Sequence, residues 1–196
     1  MAGFTIISDI SQYIADMLRN KLYPSFISSK EAISLVSPID KNADYQMGIY
    51  LYDIQAMSEY TLPQMISIGH NKKQYPPKSL KLRYMVYLNK KAQIVAKGED
   101  EQRILGLTIQ LLYDNPSITI SKIHNLSDAF DETASISILN LNVDEKSKIW
   151  TALTLPMQLG IYLEVSPVLL ASTREVTVTR VAETTFSTEE KGNVYE

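Results

Sequence analysis

The sequence predicts an α+β fold, a single domain in which a mostly antiparallel sheet carries about three helices. Segments of helical and strand periodicity follow one another as helix, strands, helix, strands, helix, strands, without the regular alternation of a doubly wound sheet. The clearest strands alternate with period two and are rich in β-branched and aromatic residues. The length, 196 residues, suits one domain or two small ones, and a chain of this size buries roughly 70% of its extended surface on folding. Residues 1–182 read as that domain, with the helices on one face of the sheet. Residues 183–196, which carry Glu183, Glu189, Glu190 and Glu196, read as a flexible acidic tail.

In chain order, Asp9 and Gln12 form a capping pair for a helix whose stripe is Ile10, Ile14, Met17, Leu18 and Leu22, closed by Pro24. A short strand is expected over 31–36. From Met47 to Ile54 the period becomes two, with Met47, Ile49 and Leu51 on one face and Tyr50, Tyr52 and Ile54 on the other. A strand from Leu80 to Leu88 sets Leu82, Tyr84, Val86 and Leu88 against Lys81, Arg83, Met85 and Tyr87, its charged start facing solvent. Between these strands, 61–79 holds Pro63, Gly69, Pro76 and Pro77 with Lys72, Lys73 and Lys78, and reads as a long loop or a loose hairpin arm.

The second helix starts at Gly98, where Glu99, Asp100 and Glu101 suit the positive end of the helix dipole. Its apolar residues Ile104, Leu105, Leu107, Ile109, Leu111 and Leu112 cover a wide arc, so it is expected to be largely buried. Two strands follow, Ser117–Ile123 and Ala134–Val143. Asp144 is expected to cap a third helix over about Glu145–Leu153, which carries Trp150, the single tryptophan. A long alternating strand from Met157 to Pro167 and a last one from Arg174 to Val181 complete the chain.

The chemical inventory argues against an enzyme. With no cysteine there is no disulfide, no thiol nucleophile and no thiolate zinc site. No nucleophile elbow, Walker loop or dinucleotide fingerprint occurs. His70 and His124 are the two histidines. His124 with Asp128 is the one faint acid–base pairing, the basis of a minor alternative as a small hydrolase. Glu99, Asp100 and Glu101 are better explained by the helix start than by a cation, and Asp131 and Glu132 by a solvated loop. No cofactor or metal is expected. The net charge of −3 and pI near 5.5 argue against nucleic acid as a partner. No run approaches the roughly 20 apolar residues of a membrane span, and the amino terminus lacks the cationic start of a signal peptide, so folding in the cytoplasm is expected.

Twelve of the seventeen aromatic residues are tyrosines, a side chain suited both to core margins and to binding surfaces. Charge is distributed unevenly. Residues 1–98 carry 12 basic and 7 acidic side chains, while 99–196 carry 7 basic and 15 acidic. If the halves present different faces, copies would attract head to tail, the heterologous contact that closes rings.

Several strings resemble one family in order and spacing over about residues 5–181. They are Tyr50-Leu51-Tyr52; Tyr75-Pro76-Pro77 before Leu80-Lys81-Leu82-Arg83-Tyr84; Glu101 to Gly106 with Leu112 to Pro116; Lys148 to Leu153; and Tyr162 to Val168. That family is the cap, or tail-terminator, protein of extracellular contractile injection systems, the phage-tail-like particles of bacteria. The resemblance implies a structural protein without enzymatic activity. It would form a six-fold ring on the baseplate-distal end, meet the last layer of sheath and inner tube, and stop their growth. It would assemble in the cytoplasm as part of a particle released from the cell. Another phage-tail-like part, a tube or baseplate adaptor, is the alternative. Departures are Lys78-Ser79 in place of a more apolar strand start, and Gly160 where serine is more familiar. Loop length and charge make Lys72, Lys73, Tyr75, Lys78, Arg174, Glu189 and Glu190 the candidate partner contacts. Pro77, Leu105, Gly106, Trp150, Tyr162 and Pro167 are the expected fold determinants, with a neighbour expected close to Gly106 because glycine within a helix costs roughly 1 kcal/mol.

Overall fold

A computed structural model describes residues 3–40, 44–58, 65–68, 71–90, 92, 98–120 and 133–178. A six-stranded sheet runs through it in the order β1-β2-β5-β8-β7-β6, formed by β1 (Ile33–Leu35), β2 (Met47–Met57), β5 (Lys78–Leu88), β6 (Ser117–Thr119), β7 (Thr133–Ile138) and β8 (Gly160–Leu170). Among the described residues only the β1–β2 pairing is parallel. A second sheet has the order β3-β4-β9, from β3 (Ile66–Ile68), β4 (Lys72–Gln74) and β9 (Glu175–Thr177). Strands β2, β5 and β8 lead respectively into β3, back from β4, and into β9, so the small sheet repeats the order of the three central strands and extends them as an arm. The 61–79 segment is therefore a hairpin arm where the structure describes it.

Among the described residues three α-helices flank the main sheet: α1 (Ile6–Leu22), α2 (Gly98–Asp114) and α3 (Val143–Ala152). Even-numbered residues of β5, from Leu82 to Leu88, pack with Ile10, Ile14 and Leu18 of α1 and Ile104, Leu105 and Leu112 of α2. Met85 and Tyr87 face the other way and pack with Trp150 of α3, Leu153 and Tyr162. The helices thus lie on both faces, correcting the expectation of one. The physical reason is that β5 and β8 are apolar on both sides, which obliges both sides to be covered.

Other boundaries move for local reasons. Helix α1 begins at Ile6, so Asp9 lies in its first turn and the cap position is Thr5, whose side chain makes no capping bond. Asn142 caps α3 instead of Asp144: its side chain accepts from Glu145 N–H at 2.9 Å while the Glu145 carboxylate accepts from Asn142 N–H at 2.8 Å. Helix α2 buries one face, Ile104, Leu105, Thr108 and Leu112, and leaves Ile109 45% exposed, so it is amphipathic and not largely buried.

Two bulges interrupt the alternation. Between Leu51 and Asp53 the β2–β5 register slips, so Ile54 pairs with Leu82 and joins the face of the long helices, away from Tyr50 and Tyr52. Strand β8 continues past Pro167 to Leu170, since Leu82 pairs with Val165 and Leu80 with Val168, leaving Ser166 and Pro167 in a bulge where a missing N–H is tolerated. The strands expected at Ser117–Ile123, Ala134–Val143 and Arg174–Val181 shorten to β6, β7 and β9, and 121–132 and 179–196 lie outside the described residues.

Candidate assembly surface

Of the seven residues singled out as contacts, five converge on the arm. The Arg174 guanidinium stacks on the Tyr75 ring, 4.1 Å from its centroid, and Tyr75 N–H donates to the Arg174 carbonyl at 3.0 Å. The Lys72 ammonium donates to the Glu175 carboxylate at 2.7 Å, and this hydrogen-bonded partner raises the Lys72 pKa above its ordinary value. Lys73 pairs across the ladder with Val176, and Lys78 opens β5, exposed. Gln74 Nε2 donates to the Ser172 carbonyl. Glu189 and Glu190 lie outside the described residues.

No described residue of β3, β4 or β9 is buried; each is exposed or half-buried. Cross-strand pairing puts Ile66, Ile68, Lys72, Gln74, Glu175 and Thr177 on one face and Ser67, Lys73 and Val176 on the other. Ile68 is 39% and Val176 37% exposed. A three-stranded sheet draws stability from a covered face. This one ends the long central strands with apolar and cationic side chains open to a partner.

One face of the main sheet carries a polar and aromatic core. Trp150 Nε1 donates to the Tyr162 hydroxyl at 2.9 Å, and the indole meets the Tyr87 ring edge to face at 6.2 Å. Tyr87 in turn meets Tyr45, with hydroxyls 3.1 Å apart. Gly48 and Gly160 are the cross-strand partners of Tyr87 on its two sides; a Cβ on Gly48 would collide with the Tyr87 ring, and one on Gly160 would come within 3.2 Å of the Val86 carbonyl oxygen. Sequence reasoning passed over both roles, because the signals, a tyrosine ring for Gly48 and a backbone carbonyl for Gly160, come from another strand. On the opposite face Tyr84 shares a 2.9 Å hydrogen bond with Ser11. Burial pushes the Tyr84 and Tyr52 phenols up to about 12, and those of Tyr87 and Tyr162 also upward.

Lys81 and Arg83 face Glu164, at 3.1 Å each, and Arg83 also lies 3.6 Å from Asp53. The start of β5 expected to be solvated is a half-buried ion-pair cluster. Glu164 was missed because its pairing depends on the β5–β8 register.

Pro77 and Leu105 are buried, as are Trp150 and Tyr162; Pro167 sits in the β8 bulge. Gly106 differs from expectation. It is exposed, and among the described residues nothing lies within 4 Å of where its Cβ would stand.

For other chemistry, His70, His124, Asp128, Asp131 and Glu132 lie outside the described residues. Glu99 and Asp100 sit in the first turn of α2, 2.7 and 3.8 Å from Arg103. Among the described residues no three His, Asp or Glu side chains gather as metal ligands. A cleft between α1 and the β1–β2 edge is walled by Phe4, Ile7, Leu35 and Leu51 and offers serine hydroxyls as its main polar groups. No helix among the described residues is long and apolar enough to cross a membrane.

A family model described as the Pvc16 N-terminal domain matches residues 9–184. No curated protein matches the chain. Solved structures that share its fold include two terminators. One is the sheath/tube terminator of the extracellular contractile injection system PVC in its extended state, with a TM-score of 0.69 and 15% identity, covering 100% of this chain and 67% of that one. The other is the tube-terminating cap of the anti-feeding prophage AFP, with a TM-score of 0.61 and 15% identity, covering 92% of this chain and 61% of that one. The chain thus spans about two thirds of the length of each terminator.

Proposed function

The chain belongs to the Pvc16 N-terminal domain family, and from that premise we propose that it is a structural cap closing the baseplate-distal end of a contractile injection particle. It ends tube and sheath growth and makes or breaks no covalent bond. The observation that carries this reading is the match of both family and fold to terminators across nearly the whole chain. Six copies close into a ring through heterologous contacts, and the ring meets sheath and inner-tube subunits. A growing polymer stops when a ring fits its last face and presents a different face outward. The ring is made in the cytoplasm and leaves with the particle, with no cofactor, nucleic acid or membrane as partner.

Residues 1–182 form the capping domain and 183–196 the acidic tail, which reaches a neighbouring subunit. Lys72, Lys73, Tyr75, Lys78 and Arg174 make contacts from the arm, Glu189 and Glu190 from the tail. The uncovered faces of the arm support this assignment.

Removing the gene and imaging the particles tests the cap role. The expected outcome is an intact baseplate with tubes and sheaths of irregular length; particles of ordinary length and form would overturn it. Deleting residues 183–196 is expected to weaken ring formation or sheath attachment, and unchanged assembly would remove the tail from the account.

A further inference from the structure

We infer that the outer face of α2 is the seat for the arm of the next copy in the ring. The inference rests on the ring reading above and adds which two surfaces meet. Glu99, Gly106 and Tyr113 recur every seven residues and so lie along one line of α2. The line points away from Ile104, Leu105, Thr108 and Leu112, the residues that α2 buries. Tyr113 on this line is 80% exposed, and Ile109 beside it 45%. Gly106 at its centre leaves a flat notch for which the described residues supply no occupant. A glycine in mid-helix is unfavourable relative to alanine, and close approach of another backbone is what its bare surface permits. Tyrosine is among the residue types enriched at the centres of such contacts.

Charge selects the occupant. Helix α2 carries Glu99, Asp100, Glu101 and Asp114 against Arg103, net −3. The described arm with its flanks, 65–68, 71–78 and 171–178, carries Lys72, Lys73, Lys78 and Arg174 against Glu175, net +3. The face of the arm holding Lys73 and Val176 pairs one cation with one apolar side chain, matching Glu99, which in the single subunit pairs with Arg103, and the apolar surfaces of Ile109 and Tyr113. Arm and helix face are different patches of the same chain. Their union between copies is therefore heterologous, the geometry that closes a ring.

The absence of cysteine makes a direct test available in the full-length chain. Lys73→Cys and Gly106→Cys are prepared separately, mixed under assembly conditions and oxidised. The expected result is a disulfide-linked pair in the mixture and none from either variant alone. Gly106→Trp should retain the wild-type melting temperature, since nothing described crowds that site, and lose the ring by native mass spectrometry. Lys73→Glu should lose the ring as well, and adding Glu99→Lys should restore it. Wild-type protein that stays monomeric at every concentration sinks the ring reading itself. Rings that persist in Gly106→Trp, or that form without the mixed cross-link and without charge-swap rescue, leave that reading standing and overturn this pairing of surfaces.

Discussion

Gly106 and Gly48 occupy regular elements for opposite reasons. At Gly48 a methyl group would enter the Tyr87 ring, so Gly48→Ala must displace an aromatic side chain that is 2% exposed. Overpacking of this kind costs about 1–3 kcal/mol. At Gly106 the same change meets open space and removes the helix penalty of glycine, so Gly106→Ala is expected to stabilise the subunit by about 1 kcal/mol. Chemical denaturation of the two variants checks the contrast, and a destabilised Gly106→Ala would contradict the exposed placement. Both glycines were visible in the sequence, and only spatial neighbours separate them. Tyr87 reaches Gly48 from another strand, a relation no periodicity within either segment encodes. Trp150 and Leu105 were legible as core because large apolar residues at helical spacing have few other destinations.

At the scale of the element, helix and strand identity could be read while ends and faces could not. Asp144 is the more acidic choice for the start of α3, yet Asn142 holds the cap because Glu145 stands three residues after it and closes the reciprocal pair. Asn142→Ala is expected to cost about 1 kcal/mol. Asp144→Ala, which loses only a favourable charge near the helix dipole, should cost a few tenths, about 0.3–1 kcal/mol at most. Thermal melts of the two single variants decide between them, and equal losses would count against the capping box. Bulges are the second source of error. An extra residue in β2 sends Ile54 to the face of Leu82, and a strict period of two cannot anticipate it. The hairpin arm was readable as an excursion from its prolines and lysines, but its third strand comes from beyond β8, so its sheet could not be.

For the whole molecule, the mixed use of tyrosine has a consequence for pH. The phenols of Tyr52 and Tyr84 are raised to about 12 by burial, against an unfolded value near 10. The folded state therefore keeps protons that the unfolded chain gives up. The corresponding stability is complete below about pH 10 and declines as pH climbs toward 12. In an alkaline titration followed by phenolate absorbance, Tyr52, Tyr84, Tyr87 and Tyr162 should ionise only as the fold is lost. A single wave for all twelve tyrosines, with structure retained, would contradict the packing on both faces. The fold class was legible because its segment order excludes alternating strand and helix; the third helix's side was not, since apolar residues on both faces of β5 and β8 show only that both must be covered. The arm prolongs β5, the middle strand of the three it continues. Tension applied to that tip would run straight along one backbone into the centre of the sheet, where the ladders with β2 and β8 take it sideways along their whole length. Their hydrogen bonds would have to slide together instead of peeling one after another, so the subunit is built to hold a pull exerted on its far end.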